Sequence, residues 1–163
     1  MERFDYMPPL TVHPRNVPGL SIREIPLEAI EAVREMNRII FREERIINTF
    51  ERDEVMILEA SIDGEPVAFK IGYRESRHTF YSAKGGVMPG FRRRGIAVAL
   101  LGDMMRRVEE LGYRRIAFDT FPNLHPGMTI LALARGFQLT KSDFNSAYRE
   151  YRLRFEKRLD LES

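Results

Sequence analysis

The sequence predicts an α+β fold: a mixed, mostly antiparallel twisted sheet flanked by helices, in the order strand, two helices, three strands, helix, strand, helix and two strands. Two observations predict this class. Apolar residues alternate with polar ones in three consecutive runs between residues 55 and 87, as in half-buried strands. A long helical pattern then lies between two strand-like runs, which is typical of a βαβ unit with parallel strands. The 163 residues are enough for one domain with its own core.

Residues 1–19 are predicted to be an extended arm, because their prolines fix φ and remove backbone donors. One domain then occupies residues 20–163. It begins with a short strand over residues 20–24, and Pro26 fits the first position of a helix. Apolar residues then recur at helical spacing: Ile30, Val33, Met36 and Ile40. A second helix is expected over about residues 42–52.

Three strands form a predicted antiparallel meander. The first covers residues 55–62 and is followed by Asp63-Gly64, a strong hairpin turn signal. The returning strand covers residues 67–73, and a third strand covers residues 79–87 after a polar turn.

The clearest helix follows the meander. Its apolar residues recur at intervals of four, four, four and three: Ile96, Leu100, Met104, Val108 and Leu111. Gly112 then provides a C-terminal cap. A strand over residues 115–119 is predicted to be parallel to the strand before the helix. A short helix over residues 127–135 and strands over 137–143 and 147–155 complete the chain.

The composition excludes several classes of function. The sequence has no cysteine, so it offers no disulfide, no thiolate metal site and no cysteine nucleophile, and its scattered histidines predict no metal site. No apolar run approaches the ~20 residues that a membrane span needs, and the first residues lack the apolar stretch of a signal peptide. We therefore expect a cytoplasmic protein without a membrane partner. The formal net charge of +2 argues against a nucleic-acid partner.

One segment, residues 85–97 (GGVMPGFRRRGIA), has the features of an anion-binding loop. It lies between a strand and a helix, where backbone N–H groups and the positive helix end hold anions. Gly95 lets the backbone approach a phosphate closely, and the arginines add charge. Ile96-Ala97 stands where a P-loop needs Lys-Ser/Thr, and no dinucleotide-binding glycine motif is present. The segment therefore predicts a phosphate site of another kind.

With these residues the chain resembles the GNAT superfamily of acyl-CoA-dependent N-acetyltransferases. Residues 92–97 (RRRGIA) match the Gln/Arg-x-x-Gly-x-Gly/Ala motif that begins the family's long helix. Residues 87–89 match the Val-x-Pro that ends the preceding strand, and Gly136-Phe137 matches a Gly-Phe pair after the next helix. The order of elements agrees from residue 20 to about residue 159.

The resemblance implies the GNAT fold, acetyl-CoA as the cofactor, and a set of cofactor-binding residues. The backbone of Val87 would pair with the pantetheine arm and polarise the thioester carbonyl. Asn123 lies near the position where family members have an asparagine against the cofactor. The pyrophosphate would bind the backbone amides of one run: Arg92, Arg93, Arg94, Gly95, Ile96, Ala97 and Val98.

The chain departs from the family at both usual catalytic positions. Ala132 stands where many members have the tyrosine that protonates the leaving thiolate, and Tyr81 stands where many have a glutamate base. Since an unperturbed tyrosine has a pKa near ~10, Tyr81 would orient a water chain or donate to the thiolate. Packing within the sheet is its alternative role. Asp119 is the other candidate base, with capping of the next turn as its alternative.

These inferences predict an N-acetyltransferase that moves the acetyl group of acetyl-CoA to a primary amine of a small molecule, amino acid or peptide. A catalytically silent acyl-CoA-binding module, acting as a sensor or regulatory subunit, is the alternative. Residues 41–50 and the last strand pair are expected to contact the acceptor. The apolar Ile46, Ile47 and Phe50 are predicted to support a homodimer.

Overall fold

A computed structural model describes residues 17–159, so nearly all of the predicted arm lies outside the described residues. The described chain divides into two compact units, which are treated separately below. The larger unit contains residues 17–118 with 158–159, and the smaller unit contains residues 119–157. Among these residues, no helix is long and apolar enough to cross a lipid bilayer.

The strands and helices follow the predicted order with one exception. The first five strands are β1 (Leu20–Ile25), β2 (Met56–Ile62), β3 (Glu65–Arg74), β4 (Thr79–Val87) and β5 (Arg115–Thr120). Two helices, α1 (Glu31–Phe41) and α2 (Ile96–Glu110), occur between them, with short 3-10 turns at Leu27–Ala29 and Pro89–Phe91. Strands β1 to β4 form an antiparallel meander, and β5 pairs with β4 in parallel.

The last elements are α3 (Pro126–Ala134), β6 (Gln138–Asn145) and β7 (Glu150–Arg158), of which β6 and β7 form an antiparallel hairpin. The first five strands form a sheet in the order β1-β2-β3-β4-β5. The predicted α+β fold with a mixed, mostly antiparallel sheet is therefore confirmed.

The helix expected over about residues 42–52 is wrong. Arg42 has a φ of 55°, and this left-handed conformation ends α1. The buried amide of Asn37 then donates to the carbonyl oxygens of Glu43 at 2.9 Å and Arg45 at 3.3 Å. A side chain thus satisfies backbone acceptors that a second helix would have satisfied, and the segment is irregular.

The same segment contributes to the core under α1. Ile46 is buried in a cluster with Val33 and Met36 of the helix, and Ile47 and Phe50 pack against that cluster. These apolar residues lie against their own chain, so they do not provide the exposed surface on which the predicted homodimer was based. The homodimer itself stays a prediction.

Helices α1 and α2 cover opposite faces of the strands β2 to β4. Ile57, Phe69 and Ile71 belong to the cluster under α1. Because side chains alternate along a strand, Lys70 points to the other face. Helix α2 also packs against β2, β3 and β4, yet none of its buried residues belongs to the α1 cluster. The middle of the sheet is therefore buried on both sides.

Candidate functional site

Strand β4 has an edge that its neighbour leaves largely open. The parallel pairing joins only residues 79–81 of β4 to residues 115–117 of β5, although β4 continues to Val87. Over the described residues, β4 thus has six further positions, 82–87, without a β5 partner. Backbone groups that point away from β3 along this stretch can hydrogen-bond to an extended ligand.

A bulge shapes the same strand. Ile71 of β3 lies opposite Lys84, whereas the next residue, Gly72, lies opposite Ser82, so Ala83 is the extra residue. An extra residue reverses the alternation of side chains. Tyr81 and Lys84 therefore both lie on the face covered by α1, and Ser82 lies on the face covered by α2.

The loop after β4 exposes backbone amides to an anion. Arg93 has a φ of 63° and Gly95, the N-cap of α2, has a φ of 89°. No side chain caps the helix, and its first backbone bond runs from the Ala99 N–H to the Gly95 carbonyl. The N–H groups of Ile96 and Val98, with that of Ala97, precede this bond and belong to the orphan donors of a helix start. Left-handed residues beside such donors create a concave anion site.

The three arginines of the loop surround these amides and are exposed. Arg92 donates from Nε to the Val87 carbonyl oxygen at 3.2 Å, which joins two of the predicted site residues. The Arg94 guanidinium lies 5.1 Å from the centre of the Phe91 ring. The Ile96 side chain is buried, so this residue offers a ligand only its backbone.

Tyr81 is half-buried on the α1 face and lies in an aromatic stack. Its ring centre lies 5.6 Å from that of Tyr73 at an interplanar angle of 30°, and the Arg52 guanidinium lies 4.4 Å from the Tyr73 ring centre. The packing role expected for Tyr81 is therefore present in the structure, while its catalytic role stays a prediction.

Two lysines at this part of the sheet were missed by sequence reasoning. On the α1 face, Lys84 Nζ donates to Glu43 Oε1 at 2.6 Å and to the Arg45 carbonyl at 3.2 Å, and lies 4.4 Å from the Phe41 ring centre. On the α2 face, Lys70 is buried, and burial lowers its pKa from 10.5 to about 8. The sequence contained one signal for both lysines. Each is a charged residue on a strand of a sheet that was predicted to be flanked by helices.

The remaining predicted residues lie in the smaller unit. Asp119 is half-buried and precedes the last residue of β5, Thr120, whose hydroxyl is 3.0 Å from that of Thr129. Asn123 donates from Nδ2 to Glu150 Oε2 at 3.1 Å, so its amide already has a partner in this structure. Ala132 is fully buried in α3 and carries no group that transfers a proton.

Comparison with protein families gives one match, to a family described as an acetyltransferase (GNAT) domain, over residues 34–122. This range covers more than half of the chain and contains β2 to β5, the open edge of β4 and the whole of α2. A search of curated proteins found no match.

Solved structures similar to this chain share its fold at low sequence identity. The ribosomal-protein-S18-alanine N-acetyltransferase from Escherichia coli is 14% identical, with a TM-score of 0.74 over 88% of this chain and 96% of that one. A GNAT family acetyltransferase from Elizabethkingia anophelis with acetyl-CoA bound is 14% identical, with a TM-score of 0.74 over 86% and 98%. Ard1 from Thermoplasma volcanium is 18% identical, with a TM-score of 0.73 over 88% and 99%.

Proposed function

The chain belongs to the GNAT acetyltransferase family, and on that premise we propose that it transfers the acetyl group of acetyl-CoA to a primary amine of a small molecule, amino acid or peptide. The observation that carries the proposal is the open edge of β4 leading into the uncapped start of α2. An extended arm would pair with the strand, and a pyrophosphate would lie at the helix start, where the dipole and the free amides favour negative charge.

The proposed cofactor contacts follow the chain from β4 into α2. Val87 would meet the pantetheine arm, and the pyrophosphate would bind the amides of residues 92–98. The left-handed Arg93 and Gly95 support this part of the proposal, because they turn successive N–H groups toward one point. For Asn123 to contact the cofactor, its amide would have to exchange Glu150 for the ligand.

The proposed reaction is direct attack by the neutral amine on the thioester, in which holding the two reactants together supplies much of the rate. We assign Tyr81 to orienting the water chain that removes the amine proton, and Asp119 to the same task as a base. A Tyr81→Phe enzyme should lose activity and change its pH profile, and an unchanged enzyme would remove Tyr81 from the mechanism.

The first test is binding of acetyl-CoA to the wild type, Gly95→Asp and Gly112→Asp, measured by calorimetry and thermal shift. Both glycines flank α2 and have positive φ, so the Gly112 variant has similar backbone strain without touching the proposed site. Acetyl-CoA at about 100 times its dissociation constant should add roughly 2.7 kcal/mol. The melting temperatures of the wild type and Gly112→Asp should therefore rise by about 5–10 °C, and that of Gly95→Asp should not change. A folded wild type that binds no acetyl-CoA would refute the proposal.

The alternative is a silent acyl-CoA-binding module, which the buried Ala132 favours because that position cannot protonate a thiolate. Release of CoA thiol with a panel of amines separates the two functions. The panel should include a peptide with an N-terminal alanine, since one structural relative is named as an acetyltransferase for such a residue. Turnover with any amine excludes the silent module. A cytoplasmic location and a homodimer remain part of the proposal.

A further inference from the structure

Lys70 is a mostly buried lysine whose ammonium group has no partner among the described residues. Only 6% of its surface is exposed, and among the described residues no hydrogen bond or ion pair reaches its ammonium group. Each of the other lysines has an oxygen partner: Lys84 has Glu43, Lys141 has Asp143 and Lys157 has the Arg135 carbonyl. An unpaired buried ammonium is strongly unfavourable, so Lys70 requires an explanation.

The side chain of Lys70 extends across β4. A Cβ atom added to Gly85 would lie 3.4 Å from Lys70 Cγ and 3.6 Å from Lys70 Nζ, as well as 3.1 Å from the Phe69 carbonyl oxygen. The ammonium therefore lies over Gly85, and the missing side chain of that glycine provides the space for it. Gly85 belongs to the stretch of β4 that has no β5 partner.

Among the described residues around Lys70, no group compensates its charge. Across the sheet it lies opposite Leu58 of β2 and Gly85 of β4. The buried residues of α2, which covers this face, are all apolar: Ile96, Leu100, Leu101, Met104 and Val108. Burial alone lowers the pKa of Lys70 to about 8, and no charged neighbour contributes. A free amine and an ammonium ion thus coexist near neutral pH.

We propose that Lys70 is a catalytic residue whose ammonium faces the sulfur atom of bound CoA and stabilises the thiolate as it leaves. The inference rests on the proposed function. The amine nitrogen of the acceptor bonds to the thioester carbon, the carbon–sulfur bond breaks, and its electron pair stays on sulfur. The sulfur leaves as a thiolate paired with the Lys70 ammonium, and the acceptor nitrogen releases its proton to solvent.

The position of Lys70 beside β4 supports this role. From the helix start, an arm that pairs with β4 would pass Val87 and then Gly85, the residue over which the Lys70 ammonium lies. Ala132 leaves the proton-donor position of the family without a donor. An ammonium beside a thiol favours the thiolate, so a charged Lys70 at this position would make the CoA sulfur a better leaving group.

The test measures the ionisation of the CoA thiol bound to the protein, by the ultraviolet absorbance of the thiolate, and needs no acceptor. The proteins are the wild type, Lys70→Met and the control Lys84→Met, which removes a lysine from the other face of the sheet. We expect the wild type and the control to lower the thiol pKa by about 1–3 units, because an ammonium lies beside the sulfur. In Lys70→Met the thiol should titrate at or above its ordinary pKa.

The outcomes separate this inference from the proposed function. Equal thiol ionisation in wild type and Lys70→Met, with CoA bound to both, overturns the role of Lys70 and leaves the acetyltransferase intact. Failure of the wild type to bind CoA or acetyl-CoA refutes the proposed function instead. If Lys70→Met does not fold, Lys70→Gln removes the charge and keeps a polar end, and the comparison of thiol ionisation is made with that variant.

Discussion

Replacing Lys70 by methionine should make the free protein more stable at neutral pH. The methionine fills a similar volume without a charge, so the variant escapes the desolvation that lowers the pKa of Lys70 from 10.5 to about 8. At 1.36 kcal/mol per pKa unit, this difference corresponds to about 3 kcal/mol of folding free energy lost to Lys70. An apolar group buried in its place adds further stability.

The lowered pKa of Lys70 also predicts how the difference in stability between the two proteins changes with pH. Between pH 8 and pH 10.5 the unfolded chain holds a proton on Lys70 that the folded chain has released. The free energy of unfolding therefore rises with pH through this window, and the destabilisation is complete below it. From pH 7 to pH 9.5 the wild type should gain about 2 kcal/mol relative to Lys70→Met.

Urea denaturation of both proteins at the two pH values measures the difference in their unfolding free energies directly. The contributions of all other titrating groups are the same in the two proteins and cancel. A Lys70→Met protein that is less stable than the wild type at pH 7, or a gap that does not narrow toward pH 9.5, would refute the reasoning. Combined with loss of thiolate stabilisation, a gain in stability would identify a residue retained for function at a cost in stability.

Two further substitutions test the packing around the site. Gly72→Ala should lose about 1–3 kcal/mol in urea denaturation, since the added Cβ would lie 2.7 Å from the Tyr81 carbonyl oxygen and against the Phe80 ring. The control is Gly102→Ala in α2, where an added Cβ would have no atom within 4 Å. This variant should gain about 0.5–1 kcal/mol of unfolding free energy. A similar loss in both variants would contradict the prediction. Asn37→Ala should lose about 1–3 kcal/mol, because the carbonyls of the segment after α1 lose their buried donor, and an unchanged midpoint would show that solvent replaces it.

Periodic patterns predicted most of the fold because the residues that become buried recur at regular intervals along the sequence. The stripe from Ile96 to Val108 specifies α2, and Asp63-Gly64 specifies the hairpin between β2 and β3. The segment after α1 failed for a local reason. Its apolar residues at helical spacing are buried, but a left-handed Arg42 and the Asn37 amide organise them without a helix, and neither feature has a periodic signature.

The positive φ of Gly95 at the strand–helix junction was predictable, because local sequence encodes such backbone geometry, and the phosphate site itself stays a prediction. For Lys70 the sequence offered only the weak signal of a charge on a strand between helices, since its significance depends on three elements that are distant in sequence. The strand β3 carries it, Gly85 of β4 leaves space for it, and α2 covers it. A single lysine between Phe69 and Ile71 has the appearance of an ordinary solvent-facing strand residue.

The bulge at Ala83 gives β4 one residue more than regular pairing with β3 requires. Deleting Ala83 would leave Ser82 opposite Gly72 and Lys84 opposite Ile71 as consecutive pairs, so the residues on both sides of the deletion would keep their faces of the sheet. Deleting a residue from a regular part of β4 would instead turn the positions beyond it onto the opposite faces. When this chain is aligned with distant relatives, a one-residue gap inside β4 therefore belongs at Ala83.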